Sequence, residues 1–284
     1  MQAMIWGTEG LKMKLFGYDF TPHQPYLEKN TSYTNYQPAP GEPFYGQIWE
    51  VYQVDGFDKN KSIAFPDICA DLMFFYTEDR VFSFFVSGTS GCRSMAEDFA
   101  FLDETATIFG VKFIPGTLQN YFVGPVSDNG EKILLASEVM HGGAETVQRM
   151  ERAGTFEERR DIIRTYLSTC LAKGDRADAL IVYAAHNIIE NRGNLKVRDL
   201  EDKTGYSNRY LRKKFSEVTG ISLKKFCAII QLQWAYELYH KSDGNMRLVD
   251  LAAAAAYYDQ SHMNYTFKTL TGMLPRTALN LYAA

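Results

Sequence analysis

The stretch GYSNRYLRKKFSEVTG, residues 205–220, decides how this chain is read, because its pattern returns 52 residues later as YYDQSHMNYTFKTLTG, residues 257–272. Both copies carry F-x-x-x-T-G, with Phe215 matching Phe267 and Thr219-Gly220 matching Thr271-Gly272. Both also place a helix-capping residue, Ser207 or Asp259, directly after a tyrosine. Self-similarity at a fixed offset marks a duplicated structural unit. In the first copy the pattern predicts a short supporting helix over 197–203, a turn at Gly205-Tyr206, and a second helix over 207–218. Tyr210, Leu211, Phe215 and Val218 then share an inward face, while Arg209, Arg212, Lys213 and Ser216 lie at i, i+3, i+4 and i+7 on the opposite one. The second copy repeats the phase, with His262, Met263, Phe267 and Leu270 inward and Ser261, Asn264, Tyr265 and Lys268 outward.

Two like-phased helices with different polar residues outside are what a pair of helix-turn-helix units reading different base pairs would present. A major groove admits one α-helix, and its base edges are read by donors and acceptors on that helix's outer face. Arg209 and Arg212 suit guanine or phosphate, and Gln260 and Asn264 suit adenine. Lys213, Lys214 and Lys268 suit phosphates, which set register and salt-dependent affinity. Asn208, Ser216, Ser261 and Tyr265 complete the expected contact set. A single face of this kind is equally what a solvated charged helix looks like; the duplication is what separates the two readings. Between the units Ser222 can cap a long helix beginning at Leu223, with Phe226, Ile230, Trp234 and Leu238 as its stripe at steps of four. Such a rod would hold the reading helices about one DNA turn apart, roughly 34 Å.

Charge supports the division. The chain has 284 residues and a net charge of −4, yet residues 1–174 hold 15 Lys+Arg against 23 Asp+Glu, and residues 175–284 hold 15 against 11. A basic module therefore follows an acidic one. Without a charged-then-apolar leader or an apolar run of membrane length, a cytoplasmic protein with no membrane partner is expected. The four cysteines, Cys69, Cys92, Cys170 and Cys227, lie far apart and fit free thiols better than a disulfide framework.

Before residue 140 the chain reads as β-rich. Short aromatic or β-branched segments at 46–54, 71–76, 81–87, 106–113 and 132–136 are separated by Gly, Pro, Asp or Asn, which suggests a small antiparallel barrel or sandwich. From 141 the pattern turns helical. Thr155 and Glu158 form a capping box, and Phe156, Ile163, Tyr166, Cys170 and Leu171 fall on one face. That stripe either docks on its own barrel or pairs with a second chain, and both readings stand. The expected organisation is a β-rich regulatory domain over 1–140, a helical linker or dimerisation segment over 141–175, and a helix-turn-helix domain over 176–284: an α+β, two-domain chain.

From about residue 178 onward the sequence resembles the AraC/XylS-type DNA-binding domain of bacterial transcription regulators. The resemblance rests on Gly205-x-Ser207, Tyr210-Leu211 and Phe215. It continues through Leu232, Ala235 and Leu238, then residues 257–262, Phe267-Lys268, Thr271-Gly272 and Pro275. It implies a seven-helix, two-headed domain that binds double-stranded promoter DNA and influences RNA polymerase. Five positions depart from the pattern: Glu201, Gln231, Ala256, Tyr265 and Leu274. At Ala256 a turn glycine is usual and a positive φ would cost about 1 kcal/mol. The N-terminal half resembles, more loosely, the β-rich cupin-like domain that precedes such modules, through Phe65-Pro66-Asp67, residues 71–75 and residues 110–116. That resemblance implies effector binding or homodimerisation.

Other chemistries fit poorly. The five histidines lack the paired spacing of a metal-dependent barrel, and neither a cofactor, a metal nor catalytic residues are expected. Gly88-Thr89-Ser90-Gly91 reads as a strand-connecting loop and not a phosphate cradle. An alkyl-accepting cysteine, Cys92 beside Arg93 before Cys69, is the enzyme alternative. A ligand-independent regulator governed by a protein partner is the other. For a small-molecule effector, Trp49, Tyr52, Phe74, Phe84 and Phe113 are the candidate pocket residues.

Overall fold

The computed structural model describes residues 22–28, 32–87, 92–102, 105–123, 133–174 and 177–281. The expected 88–91 loop lies outside these residues. The strands are β1 (Tyr33–Tyr36), β2 (Ile48–Asp58), β3 (Ile63–Ala64), β4 (Ala70–Tyr76), β5 (Val81–Ser87), β6 (Arg93–Ser94), β7 (Thr105–Phe113) and β8 (Leu134–Leu135). In the N-terminal half the helices are α1 (Pro25–Glu28), α2 (Met95–Asp98), α3 (Ala136–Val139), α4 (Gly143–Arg152) and α5 (Phe156–Leu171). The C-terminal half holds α6 (Ala179–Glu190), α7 (Val197–Thr204), α8 (Asn208–Thr219), α9 (Leu223–Lys241), α10 (Leu248–Ala254), α11 (Gln260–Thr271) and α12 (Pro275–Leu279). An antiparallel β-domain thus precedes an all-helical one.

Six strands form one antiparallel sheet in the order β1-β2-β7-β4-β5-β8, and β3 pairs with β6 beside it. The sheet is buried on both faces, which is why β4 reads ADLMFFY without polar alternation. Leu72, Phe74, Phe85, Phe109, Val111 and Phe113 pack beneath helices, and Tyr52, Val54, Met73, Phe75, Phe84 and Ile108 pack against Leu27, Met95, Phe99 and Leu102. A Cβ at Gly110 would lie 2.1 Å from the Tyr52 ring, so this large side chain crosses the sheet only over glycine.

The five aromatics expected around an effector do not enclose one space. Phe74 and Phe113 belong to the helix-covered face, whereas Tyr52 and Phe84 belong to the other. Side chains alternate across a strand, so Phe74 and Phe113 cannot meet Tyr52 and Phe84 in one cavity. Those four are buried in the core, and among the described residues Trp49 lines two clefts.

Of the expected 141–175 linker or dimerisation segment, α4 and α5 form a wall of the β-domain. Ile163, Tyr166, Leu167 and Cys170 are buried against the sheet, each such apolar side chain contributing roughly 1.5–3 kcal/mol. Arg159, also buried, donates to Gln53 Oε1 at 2.7 Å and lies 3.6 Å from the Tyr76 ring centroid. The Tyr166 hydroxyl donates to the Tyr121 carbonyl at 2.5 Å. With its apolar stripe consumed in this way, α5 leaves Asp161, Thr165, Ser168 and Thr169 on its exposed side, a polar face without the stripe a helix pairing needs.

In the C-terminal domain, one core joins α6 through α12. Gly193, at φ 75°, lets the chain pass α9, since a Cβ there would lie 2.3 Å from the Cys227 carbonyl oxygen. The same core takes in Phe65, Ile68 and Cys69 of the β-domain. No helix of the described residues is long and apolar enough to cross a membrane.

Candidate nucleic-acid interface

Helices α7 and α8 form the first unit and α10 and α11 the second. Ser207 and Asp259 cap α8 and α11, accepting from the backbone N–H of Tyr210 (3.4 Å) and His262 (2.7 Å). At the far ends Thr219 and Thr271 donate to the carbonyls of Phe215 and Phe267, 2.7 Å in each case. The same hydroxyls accept from the N–H groups of Ile221 and Met273. Gly220 and Gly272 then take φ 78° and 73°. The repeated T-G is therefore a stop built identically twice: a hydroxyl bonded back to the carbonyl four residues earlier and forward to an N–H beyond the helix, followed by a left-handed glycine.

On α8, Leu211, Phe215 and Val218 are buried and Arg209, Arg212 and Lys213 exposed, with Asn208 and Ser216 half-buried. Arg212 Nε donates to Asn208 Oδ1 at 2.6 Å, which holds the guanidinium along the helix face. Lys213 reaches Glu217 at 3.7 Å. Lys214 is drawn away, paired with Asp178 at 2.9 Å, so it does not belong with the phosphate-facing lysines. On α11, Met263, Phe267 and Leu270 are buried, Gln260, Ser261, Tyr265 and Lys268 exposed, and Asn264 half-buried.

Two inward assignments are corrected. Tyr210 is 44% exposed and stacks on Tyr206 at 5.0 Å, and His262 is exposed. Leu211 and Met263, one residue on, already occupy the core positions. Three contributions escaped sequence reasoning. Glu201, at a departing position, accepts from the Asn208 N–H at 2.5 Å and so adds a second cap to α8. Tyr258, 92% exposed, stands beside the second reading helix as Tyr206 stands beside the first. The third is the far side of α9. Of the expected Phe226-Ile230-Trp234-Leu238 stripe the first three are buried and Leu238 is half-buried, while Ile229, Gln233 and Tyr236 are buried as well.

That far side meets the β-domain. Gln233 accepts from the His23 N–H at 2.7 Å and donates to the carbonyls of His23 (3.2 Å) and Pro66 (2.6 Å). The Tyr236 ring lies 5.3 Å from both His23 and Phe65. The Cys92 N–H donates to the Leu270 carbonyl on α11 at 3.3 Å, and Gly116 abuts Val182 on α6. The one hint in the sequence is the presence of Gln231, Gln233 and Glu237 in the apolar middle of α9, which does not name what they meet.

Residues 200–280 match the family model described as a helix-turn-helix domain. The chain carries an AraC-type helix-turn-helix domain. This is a DNA-binding module of transcription regulators, and its matched span runs from α7 to α12. The chain is also similar in shape to the C-terminal domain of AraT, a response regulator from Geobacillus stearothermophilus (20% identity, 37% of this chain and 87% of that one, TM-score 0.34). It is similar to ToxT from Vibrio cholerae O395 (12%, 90% and 100%, TM-score 0.42). A third likeness is to unsaturated fatty acid-bound ToxT from Vibrio cholerae strain SCE256 (15%, 89% and 97%, TM-score 0.39). No curated protein matches the chain.

The two cysteines of the alkyl-acceptor alternative are not placed as activated thiolates. Burial pushes the Cys92 thiol up to about 12 and raises Cys69 as well, the opposite of an activated thiolate. Among the described residues no group of His, Cys, Asp and Glu could hold a metal ion.

Proposed function

We propose that the protein is a regulator that binds promoter DNA sequence-specifically through α8 and α11, with the β-domain sensing a small molecule across the α9 seam. The observation that carries this reading is the pair of exposed polar faces on two helices built alike. Arg209, Arg212 and Lys213, with Asn208 and Ser216, form one face; Gln260, Ser261, Asn264, Tyr265 and Lys268 form the other. At 1.5 Å per residue the 19-residue α9 spans about 28 Å, of the order of one duplex turn. Lys213 and Lys268 supply phosphate contacts, and the arginines and amides supply base contacts. Influence on RNA polymerase, a cytoplasmic location and a homodimer belong to the same reading.

The sensing role is supported by the seam. An occupant that shifts residues 22–24 or 65–69 acts directly on Gln233 and Tyr236, hence on the helix carrying both units, as a population shift. Selection of bound fragments from genomic DNA supplies the operator. On it, Arg209→Ala and Arg212→Ala are each expected to weaken binding by roughly 1–3 kcal/mol, and Lys268→Ala to reduce the salt slope by about 1. Unchanged affinity in all three variants removes the assignment.

A further inference from the structure

The end of the sheet nearest α9 holds an unusual charge arrangement. Lys112 on β7 stands opposite Glu50 on β2 and Asp71 on β4, and all three are buried. Lys112 Nζ pairs with the buried Asp67 at 3.2 Å. Asp71 accepts from the Tyr52 hydroxyl at 3.0 Å, and burial pushes its carboxyl up to about 7. Glu50 accepts from a neutral donor, the Asn35 amide at 2.8 Å, and shares a cleft with Tyr33. Among the described residues no lysine or arginine nitrogen lies within ion-pair distance of Glu50. One cation thus serves three carboxylates, and its own pairing is with Asp67.

Glu50 does not face packed core. It lines a cleft of about 180 Å³ together with Tyr33, Asn35, Trp49 and Lys112. The other wall is the 22–27 strap, whose His23 is clipped to Gln233 and whose Gln24 donates to Asp67 at 3.0 Å. We propose that this cleft binds a small organic cation, an amine, with Glu50 as its counter-charge. A buried carboxylate without a cationic partner gains most from an arriving positive charge. Tyr33 and Trp49 supply the aromatic walls that alkylammonium groups favour. An anion, the carboxylate of a long acyl chain included, would meet Glu50 with Lys112 already engaged. This rests on the reading of the β-domain as a sensor and gives the chemistry of what is sensed.

Isothermal titration calorimetry on the full-length protein tests it without DNA, using putrescine and choline as probes, and succinate and xylitol as controls. At least one amine is expected to bind and both controls to fail. Glu50→Gln, which preserves shape and the acceptor for Asn35, should weaken amine binding about tenfold to a hundredfold. Asn35→Lys, on the exposed rim, should abolish it by supplying the counter-charge in cis, and it keeps the test open if Glu50→Gln fails to fold. The proposal is overturned if no amine binds, if succinate binds in place of an amine, or if folded variants retain wild-type amine affinity. Amine binding without effect on operator affinity upholds the cleft and removes only its coupling to DNA.

Discussion

Ala256 holds a backbone φ of 59°, a left-handed conformation that a Cβ disfavours. Its carbonyl accepts from Gln231 Nε2 at 3.1 Å, so the turn is pinned to α9 and cannot relax toward negative φ without losing that bond. The first unit meets the same demand with Gly205, at φ 74°. Ala256→Gly is therefore expected to raise stability by about 0.5–1 kcal/mol, the relief of strain exceeding the added chain entropy of the unfolded state. Urea denaturation measures it, and a loss of stability would show that the methyl group's packing outweighs its strain. The strain was legible in the sequence because a turn residue without a side chain was missing where one was due. The role of Glu201 was not legible: a carboxylate reaching forward to Asn208 depends on how two helices cross, which spacing does not encode.

At the scale of elements, the paired stops make a matched experiment. Thr219→Val and Thr271→Val each delete one hydroxyl that donates to a carbonyl four residues back and accepts from an N–H two residues on. Each is expected to cost roughly 1–2 kcal/mol, with the buried Thr271 the costlier. Thermal melts read both; a loss at one site only would break the equivalence of the two units. Reading α8 and α11 from sequence worked because capping, core spacing and termination all point to the same registers. Tyr210 and His262 were misplaced by one position, since an aromatic ring next to a core leucine or methionine satisfies the same periodicity. The second face of α9 was hidden for another reason. Helical periodicity reveals one apolar stripe, and a helix wrapped on all sides has no polar side to define the other. The two-residue strands β3 and β6 are too short to leave any pattern.

For the whole molecule, the stretches that made the β-domain look familiar, 65–67 and 110–116, contribute its contact with the DNA-binding module. Phe65 and Pro66 touch α9, and Gly116 touches α6. Which chain elements meet across such a seam is a long-range fact, and sequence spacing does not name the partners. The buried charges behind the seam make stability pH-dependent with a definite sign. Asp71 titrates near 3.8 when unfolded and about 7 when folded, chiefly through burial, so the folded state keeps a proton the unfolded state releases. Its contribution is present below about pH 4 and is lost as pH climbs through 7. Glu50, Asp67, Lys112 and Tyr52 surround it and set the size of the effect. Melting temperatures taken from about pH 5 to pH 8 should fall more steeply for the wild type than for Asp71→Asn; parallel curves would remove Asp71 as the source.

The enclosure of the middle of α9, residues 229–237, also constrains any duplex the protein grips. A strut enclosed through its middle has little slack to bend or twist, and the distance between its ends is set by the regular rise of its hydrogen-bonded backbone. One additional base pair between the two halves of a binding site swings the far half around the axis by about a tenth of a rotation. The protein has no compensating joint along that strut, so cognate sites must keep a constant gap even where their letters drift.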